Sequence, residues 1–230
     1  MIKVLVVDDQ ALIRAGTTAI LQSAPDIEVV GEAGDGAEAV AVCRERRPDV
    51  VLMDLRMPRV DGVTATAQLK EDRNPPLVLA LTTFNDDQLM IDALTAGADG
   101  FLLKQLTPAD LINAIRAVSG GASVLTAEVG RRMLRRLSAR ETAARTAFPD
   151  AAERLGLLSE REREVLGHVG LGLNNAEIAE RLYMSVSTVK TYVSRTLTKL
   201  RLDNRVQAAL LASHLRLPPA DHPLGGQPPQ

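Results

Sequence analysis

The chain has 230 residues, with 27 Lys and Arg against 29 Asp and Glu and a formal net charge of −2. That length holds one large domain or two small ones, and an apolar fraction of 46% excludes a disordered or fibrous chain. A single cysteine, Cys43, excludes an internal disulfide framework and fits a reducing cytosol, and no apolar run approaches the length that spans a bilayer.

The chain opens directly into IKVLVV, without the basic flank and long apolar stretch of a signal peptide. The first half then alternates apolar, Val/Leu-rich runs (KVLVV, IEVVGEA, VVLM, LVLALT, GFLL) with helical stretches (ALIRAGTTAILQS, DGAEAVAVCRERR, VDGVTATAQLKED, DDQLMIDALTAGA, TPADLINAIRAVSG). Five strand–helix pairs imply a five-stranded parallel sheet covered on both faces. Right-handed crossovers favour a doubly wound, flavodoxin-like α/β sandwich over 1–121. With no Trp, two Tyr and three Phe, the core is expected to be aliphatic.

Two of these strands end in acids. Asp8 and Asp9 close the first and Asp54 closes the third. In a doubly wound sheet those strands are neighbours, and their carboxyl ends share the switch point where ligands bind. Three converging carboxylates repel and raise one another's pKa. A small hard cation such as Mg²⁺, which takes carboxylate and phosphate oxygens, relieves the repulsion. Thr82 ends the fourth strand and Lys104 ends the fifth, at the same edge. A cation and a hydroxyl facing an acidic metal pocket suit a further anion, namely a phosphoryl group carried on one carboxylate.

Residues 1–121 closely resemble the receiver domains of bacterial two-component response regulators, through DD at 8–9, MDLRMPRVDG at 53–62, Thr82 and GFLLK at 100–104. The resemblance implies that Asp54 accepts a phosphoryl group from a sensor histidine kinase. It implies that Asp9, Asp54 and the backbone carbonyl of Arg56 ligate Mg²⁺, with Asp8 contributing partly through water. It makes Thr82 and Phe101 a switch pair, the first turning toward the phosphoryl group and the second packing inward behind it. Gln105 departs from the proline that many receivers have after this lysine. Asp61-Gly62 reads as a turn opening the third helix, without a direct role. Asp35, Asp49, Asp86 and Asp87 read as caps or solvated residues.

Charge changes sign along the chain. Residues 1–121 carry 18 acidic and 11 basic side chains, whereas 157–216 carry 6 and 9. Two modules with different partners follow from that segregation. Between them, 122–156 is Ala/Arg-rich and reads as a linker with a partial helix, and 217–230 is a Pro/Gly-rich tail expected to be disordered.

The second module predicts short helices. Ser159 with Glu162 forms a capping-box pattern, GLNN makes a turn, and YMSV with Ser185 or Ser187 as N-cap leads into a third helix. Its apolar stripe is Val189, Val193, Leu197 and Leu200. Lys190, Thr191, Ser194, Arg195 and Thr198 lie on the other side, a face suited to phosphates and base edges of the major groove. LSEREREVL, GLNNAEIAERL, SVSTVKTYVSRTLTKL, Arg205 and VQAALLA resemble the LuxR-type helix-turn-helix of NarL/FixJ-type response regulators. That resemblance places Lys190, Thr191 and Ser194 toward the groove of double-stranded DNA and Arg195 near its backbone. Tyr192 stands where the family often has histidine. The last helix, near 204–214, carries Val206, Ala209 and Leu210 either as a homodimer contact or as an intradomain packing face.

Together these readings describe a cytoplasmic, phosphorylation-switched transcription regulator rather than an enzyme. In the resting state the receiver is expected to cover or misplace the DNA-reading helix. The alternatives are a regulator indifferent to phosphorylation and an aspartyl-phosphate phosphohydrolase. The latter needs a second acid two residues after the nucleophile, where this chain has Arg56.

Overall fold

The structure is a computed structural model that describes residues 1–82, 87–122, 124–125, 151, 153–215 and 217. The first half runs β1 (Ile2–Val7), α1 (Ala11–Gln22), β2 (Ile27–Ala33), α2 (Gly36–Arg46), β3 (Val50–Asp54), α3 (Gly62–Lys70), β4 (Leu77–Thr82), α4 (Asp87–Thr95), β5 (Gly100–Leu103) and α5 (Pro108–Ser119). All neighbouring strands pair in parallel, in the order β2-β1-β3-β4-β5. One element exceeds expectation. A two-residue strand, β6 (Val124–Leu125), continues the sheet parallel to β5, so the segment read as linker begins on the sheet edge. Two residues are too few to show a period, which is why no strand was legible there.

Alternation along each strand decides which layer a side chain joins. Val4, Val6, Val50, Leu52 and Leu79 pack with Leu21 of α1 and Leu111, Ile115 and Val118 of α5. Leu5, Val7, Val51, Met53 and Val78 pack with Ala39, Val40 and Cys43 of α2 and Ala65 and Leu69 of α3. Because both faces are covered, the strands read as unbroken apolar runs. Helix starts are set by side-chain caps: Asp35 accepts from Glu38 N–H, Asp61 from Thr64 N–H, and Thr107, before Pro108, from Asp110 N–H.

The second half has a 3₁₀ turn (Glu153–Leu157) and helices α6 (Glu160–Gly170), α7 (Asn175–Arg181), α8 (Val186–Leu200) and α9 (Arg205–His214). Ser159 and Glu162 form the expected capping box, Asn174 and Glu177 form a second, and Ser185 caps α8. Val165, Leu166, Val169, Ile178, Leu182, Val189 and Leu200 make the core. The helix expected within 126–147 and nearly all of the expected tail lie outside the described residues.

The two halves share buried surface. Met90, Ala93 and Leu94 of α4 belong to the same apolar cluster as Val206 and Ala208–Ala212 of α9.

Candidate functional site

At the carboxyl edge of the sheet, β1 and β3 lie side by side with Val7 opposite Met53, so the residues that follow them meet. Carboxylate oxygens of Asp8, Asp9 and Asp54 all lie within 4.8 Å of one another. Asp8 and Asp54 are buried and Asp9 is exposed. They open into a pocket of about 190 Å³ lined by Asp9, Gln10, Asp54, Leu55, Arg56, Leu81, Thr82, Leu89 and Lys104. Thr82 and Lys104 are therefore at the same edge as the acids, as the strand order requires. Phe101, one strand over, is fully buried in the cluster that includes α4.

Lys104 ties the acids together. Its ammonium donates to Asp8 Oδ2 at 2.8 Å and to Asp54 Oδ2 at 2.7 Å. Burial alone would lower the Lys104 pKa, but these two carboxylates outweigh it and hold the ammonium above the usual lysine range. Asp54 behaves oppositely. Burial is the main cause pushing its carboxyl above the usual range, against the bonds from Lys104 and Arg56 N–H, and the Asp8 charge adds a smaller push. The sequence reading gave mutual repulsion first place. Desolvation leads instead, because Lys104 stands between Asp8 and Asp54 and screens them.

Several supporting residues were not legible as functional. Arg14 of α1 donates from Nη1 to the Asp8 carbonyl at 2.7 Å, and its Nε lies 3.5 Å from Glu32 Oε2 on β2. Gln10 N–H donates to Asp8 Oδ1 at 2.9 Å, which fixes the buried carboxylate from the loop side. Gly62 packs against the backbone of the phosphoacceptor candidate: a Cβ there would lie 2.1 Å from the Asp54 carbonyl oxygen and 2.8 Å from Leu55 Cα. Its N–H also donates to Leu55 O at 3.1 Å. A spacing rule could have flagged Gly62, since a glycine opening the helix after the acid strand has to pass close to it. Arg14 carried no such signal, because an arginine on an exposed helix turn usually faces water.

In the second half, Val189 and Leu200 are buried, while Lys190, Thr191, Ser194, Arg195 and Thr198 are all exposed along one side of α8. The receiver-like half does not cover this face. Of the expectation that the receiver covers or misplaces the DNA-reading helix, covering is not seen in this structure; the receiver instead meets α9 and Asn175 at the start of α7. Val206, Ala209 and Leu210 are buried, at 0%, 9% and 3% exposure.

Residues 4–116 match the response regulator receiver domain family, and residues 156–212 match the luxR family of bacterial regulatory proteins. The chain is 40% identical over 212 residues to the transcriptional regulatory protein LiaR of Bacillus subtilis, covering 92% of this chain and 97% of that one. It is a two-component response regulator of the receiver–LuxR type. The regulator is also 42% identical over 211 residues to the response regulator protein VraR of Staphylococcus aureus, covering 92% and 96% of the two chains. Among solved structures, the response regulator ChrA of a heme-sensing two-component system is 36% identical, with a TM-score of 0.51 over 94% of the regulator and 98% of ChrA. The regulator thus joins a receiver domain to a LuxR-type DNA-binding domain, and these relatives span its length from one domain into the other.

Proposed function

We propose that this cytoplasmic regulator takes a phosphoryl group from a sensor histidine kinase onto Asp54, and that the modified chain dimerises and binds two-fold-related half-sites in double-stranded DNA. The observation that carries the reading is the convergence of Asp9, Asp54, Thr82 and Lys104 on one pocket from four different strands, with Asp8 against the acids and Lys104.

The acidic cluster suits a hard cation. Asp9, Asp54 and the Arg56 carbonyl, with Asp8 through water, would hold Mg²⁺, which when bound supplies positive charge for the oxygens of the incoming group. An Asp54 carboxylate oxygen attacks phosphorus, the bond from phosphorus to the kinase histidine nitrogen breaks, and that nitrogen keeps the electron pair. The product is an acyl phosphate. Lys104, now held by Asp8 and Asp54, is within reach of the new phosphoryl oxygens and exchanges one carboxylate for one of them. The Thr82 hydroxyl donates to another. Phe101 stands opposite Ala80, two residues before Thr82 on the neighbouring strand, and packs in the cluster that includes α4, which supports a route by which a turn of Thr82 would reach the α4 side of the sheet. On the DNA side, Lys190, Thr191 and Ser194 would enter the major groove while Arg195 holds the backbone.

Acetyl phosphate with Mg²⁺ tests the reading. The wild type is expected to gain a stoichiometric acid-labile phosphate and to shift from monomer to dimer in size-exclusion chromatography, while Asp54→Asn does neither. Equal labelling of the two proteins removes the assignment. Turnover of small phosphoesters by the chain would favour the phosphohydrolase alternative.

A further inference from the structure

From Arg205 to Ala212, helix α9 is buried on every side. Asn204 through Ala212 are all buried without a break. A helix packed on one side of a small bundle keeps a wet stripe; one that is dry all round is covered by something else. Helix α6 covers part of it, where Gly170 meets Ala212. Part of the remainder meets the receiver, in one apolar cluster with Met90, Ala93 and Leu94 of α4.

Two side-chain amides cross this joint, each aimed at a main-chain carbonyl near the C-terminal end of a receiver helix. Gln207 Nε2 donates to Leu94 O at 3.1 Å, taking the second lone pair of a carbonyl that already accepts from Gly97 N–H. Its orientation is fixed, because Gln207 Oε1 accepts from Asp203 N–H at 2.9 Å while Nε2 also reaches Asp203 Oδ2 at 3.2 Å. Asn175 Nδ2 donates to Gly120 O at 3.4 Å, just past α5. It too cannot flip, since Asn175 Oδ1 accepts from Arg205 Nη1 at 2.8 Å and a guanidinium only donates. Arg205 is itself buried, with Nη2 on Leu173 O and Nε without a hydrogen-bond partner, so Asn175 is held by a cation that has few other places to turn. Gly121 completes the fit: at φ +82 it accepts no side chain easily, and a Cβ there would lie 2.1 Å from Asn175 Nδ2.

We propose that Gln207 and Asn175 form a latch by which the receiver occupies helix α9, and that the regulator at rest is silenced by holding this helix rather than by covering α8. Helix α4 is the connection to the phosphorylation pocket. Leu89 lines that pocket and Leu94 lies at the latch, five residues on, about 7.5 Å along one rigid helix. A change at the pocket that shifts α4 moves Leu94 away from Gln207. The inference rests on the dimer reading above for one readout, and so a second readout, chain compactness, stands apart from it.

The test changes one NH₂ to oxygen at each position. Gln207→Glu sets a carboxylate oxygen against Leu94 O. Asn175→Asp does the same at Gly120 O while giving Arg205 a counter-ion, so the DNA-binding domain itself is not weakened. Full-length variants without any phosphoryl donor are compared with wild type by small-angle scattering and sedimentation equilibrium. Each substitution is expected to favour the open form about tenfold, which raises the radius of gyration and, because both protomers must open, lowers the concentration at which dimers appear by up to about 100-fold. Variants that stay as compact and as monomeric as wild type overturn the latch. Variants that expand but remain monomeric uphold the latch and overturn the dimer reading. Wild type that stays monomeric with beryllofluoride and Mg²⁺ also overturns that reading, and compactness still decides the latch.

Discussion

Gly62→Ala offers a test in which two physical effects predict opposite signs. Gly62 opens α3, and replacing glycine with alanine in a helix normally stabilises by roughly 0.5–1 kcal/mol. Here the added methyl would sit 2.1 Å from Asp54 O and 2.8 Å from Leu55 Cα. Both are backbone atoms, so no side chain can rotate out of the way. Ordinary van der Waals contact requires β3 and the start of α3 to part by about 1 Å, and overpacking of this kind costs roughly 1–3 kcal/mol. The strain falls on the peptide that carries the proposed phosphoacceptor, and a displacement of about 1 Å at a reacting group can cost about 100-fold in rate. Urea unfolding and the rate of phosphoryl uptake from acetyl phosphate, measured side by side, separate the effects. The expected result is a lower midpoint with slowed uptake. A raised midpoint with wild-type uptake would show that helix propensity wins and that the close approach does not matter.

Arg14→Ala removes the donor on the Asp8 carbonyl, and calorimetric titration is expected to show Mg²⁺ affinity down roughly tenfold, as for other groups that orient metal ligands; unchanged affinity would make Arg14 merely structural. Glu162 supplies a pH test. Burial would raise its carboxyl, but bonds from Lys199 and Ser159 outweigh that and leave it below its ordinary 4.5. A depressed carboxyl contributes stability that is complete above that value and lost as pH falls through the folded one. Relative to wild type, Glu162→Gln is therefore expected to be less stable to urea at neutral pH, with the gap closing below about pH 4.5; a gap independent of pH contradicts the assignment. Lys190→Ala is expected to weaken DNA binding across sequences and reduce the salt slope by about 1 if the ammonium meets a phosphate; an unchanged slope with altered sequence preference would place it on a base instead.

The receiver domain was legible because its physics is local and repetitive. Buried parallel strands read as apolar runs, and acids at the ends of VLVVDD and VVLMD break the pattern where a ligand site must be. The caps at Asp35, Asp61, Ser159 and Ser185 were equally open to reading, since a cap needs only one side chain and the next turn of helix. What stayed hidden depends on contacts between distant segments. Arg14 reaches a carbonyl, Gly62 is defined by the space it leaves, and Gln207 meets Leu94 from 113 positions away. Arg14 and Gln207 leave no period or motif, and the spacing that marks Gly62 does not reveal how close it comes to Asp54. Helix α9 did carry a hint. Val206, Ala208, Ala209, Leu210, Leu211 and Ala212 are apolar on more sides than one packing face needs, which left both a dimer contact and an internal face open and gave no sign that the receiver was the cover.

Attachment of the phosphoryl group to Asp54 is tested most directly by reductive trapping. After treatment with acetyl phosphate and Mg²⁺, borohydride reduces an aspartyl phosphate to homoserine, and peptide mass spectrometry locates it. Homoserine at position 54 alone, absent without the phosphoryl donor, is the predicted result. Homoserine at Asp8 or Asp9, or at no position while the chain still dimerises on treatment, would contradict it.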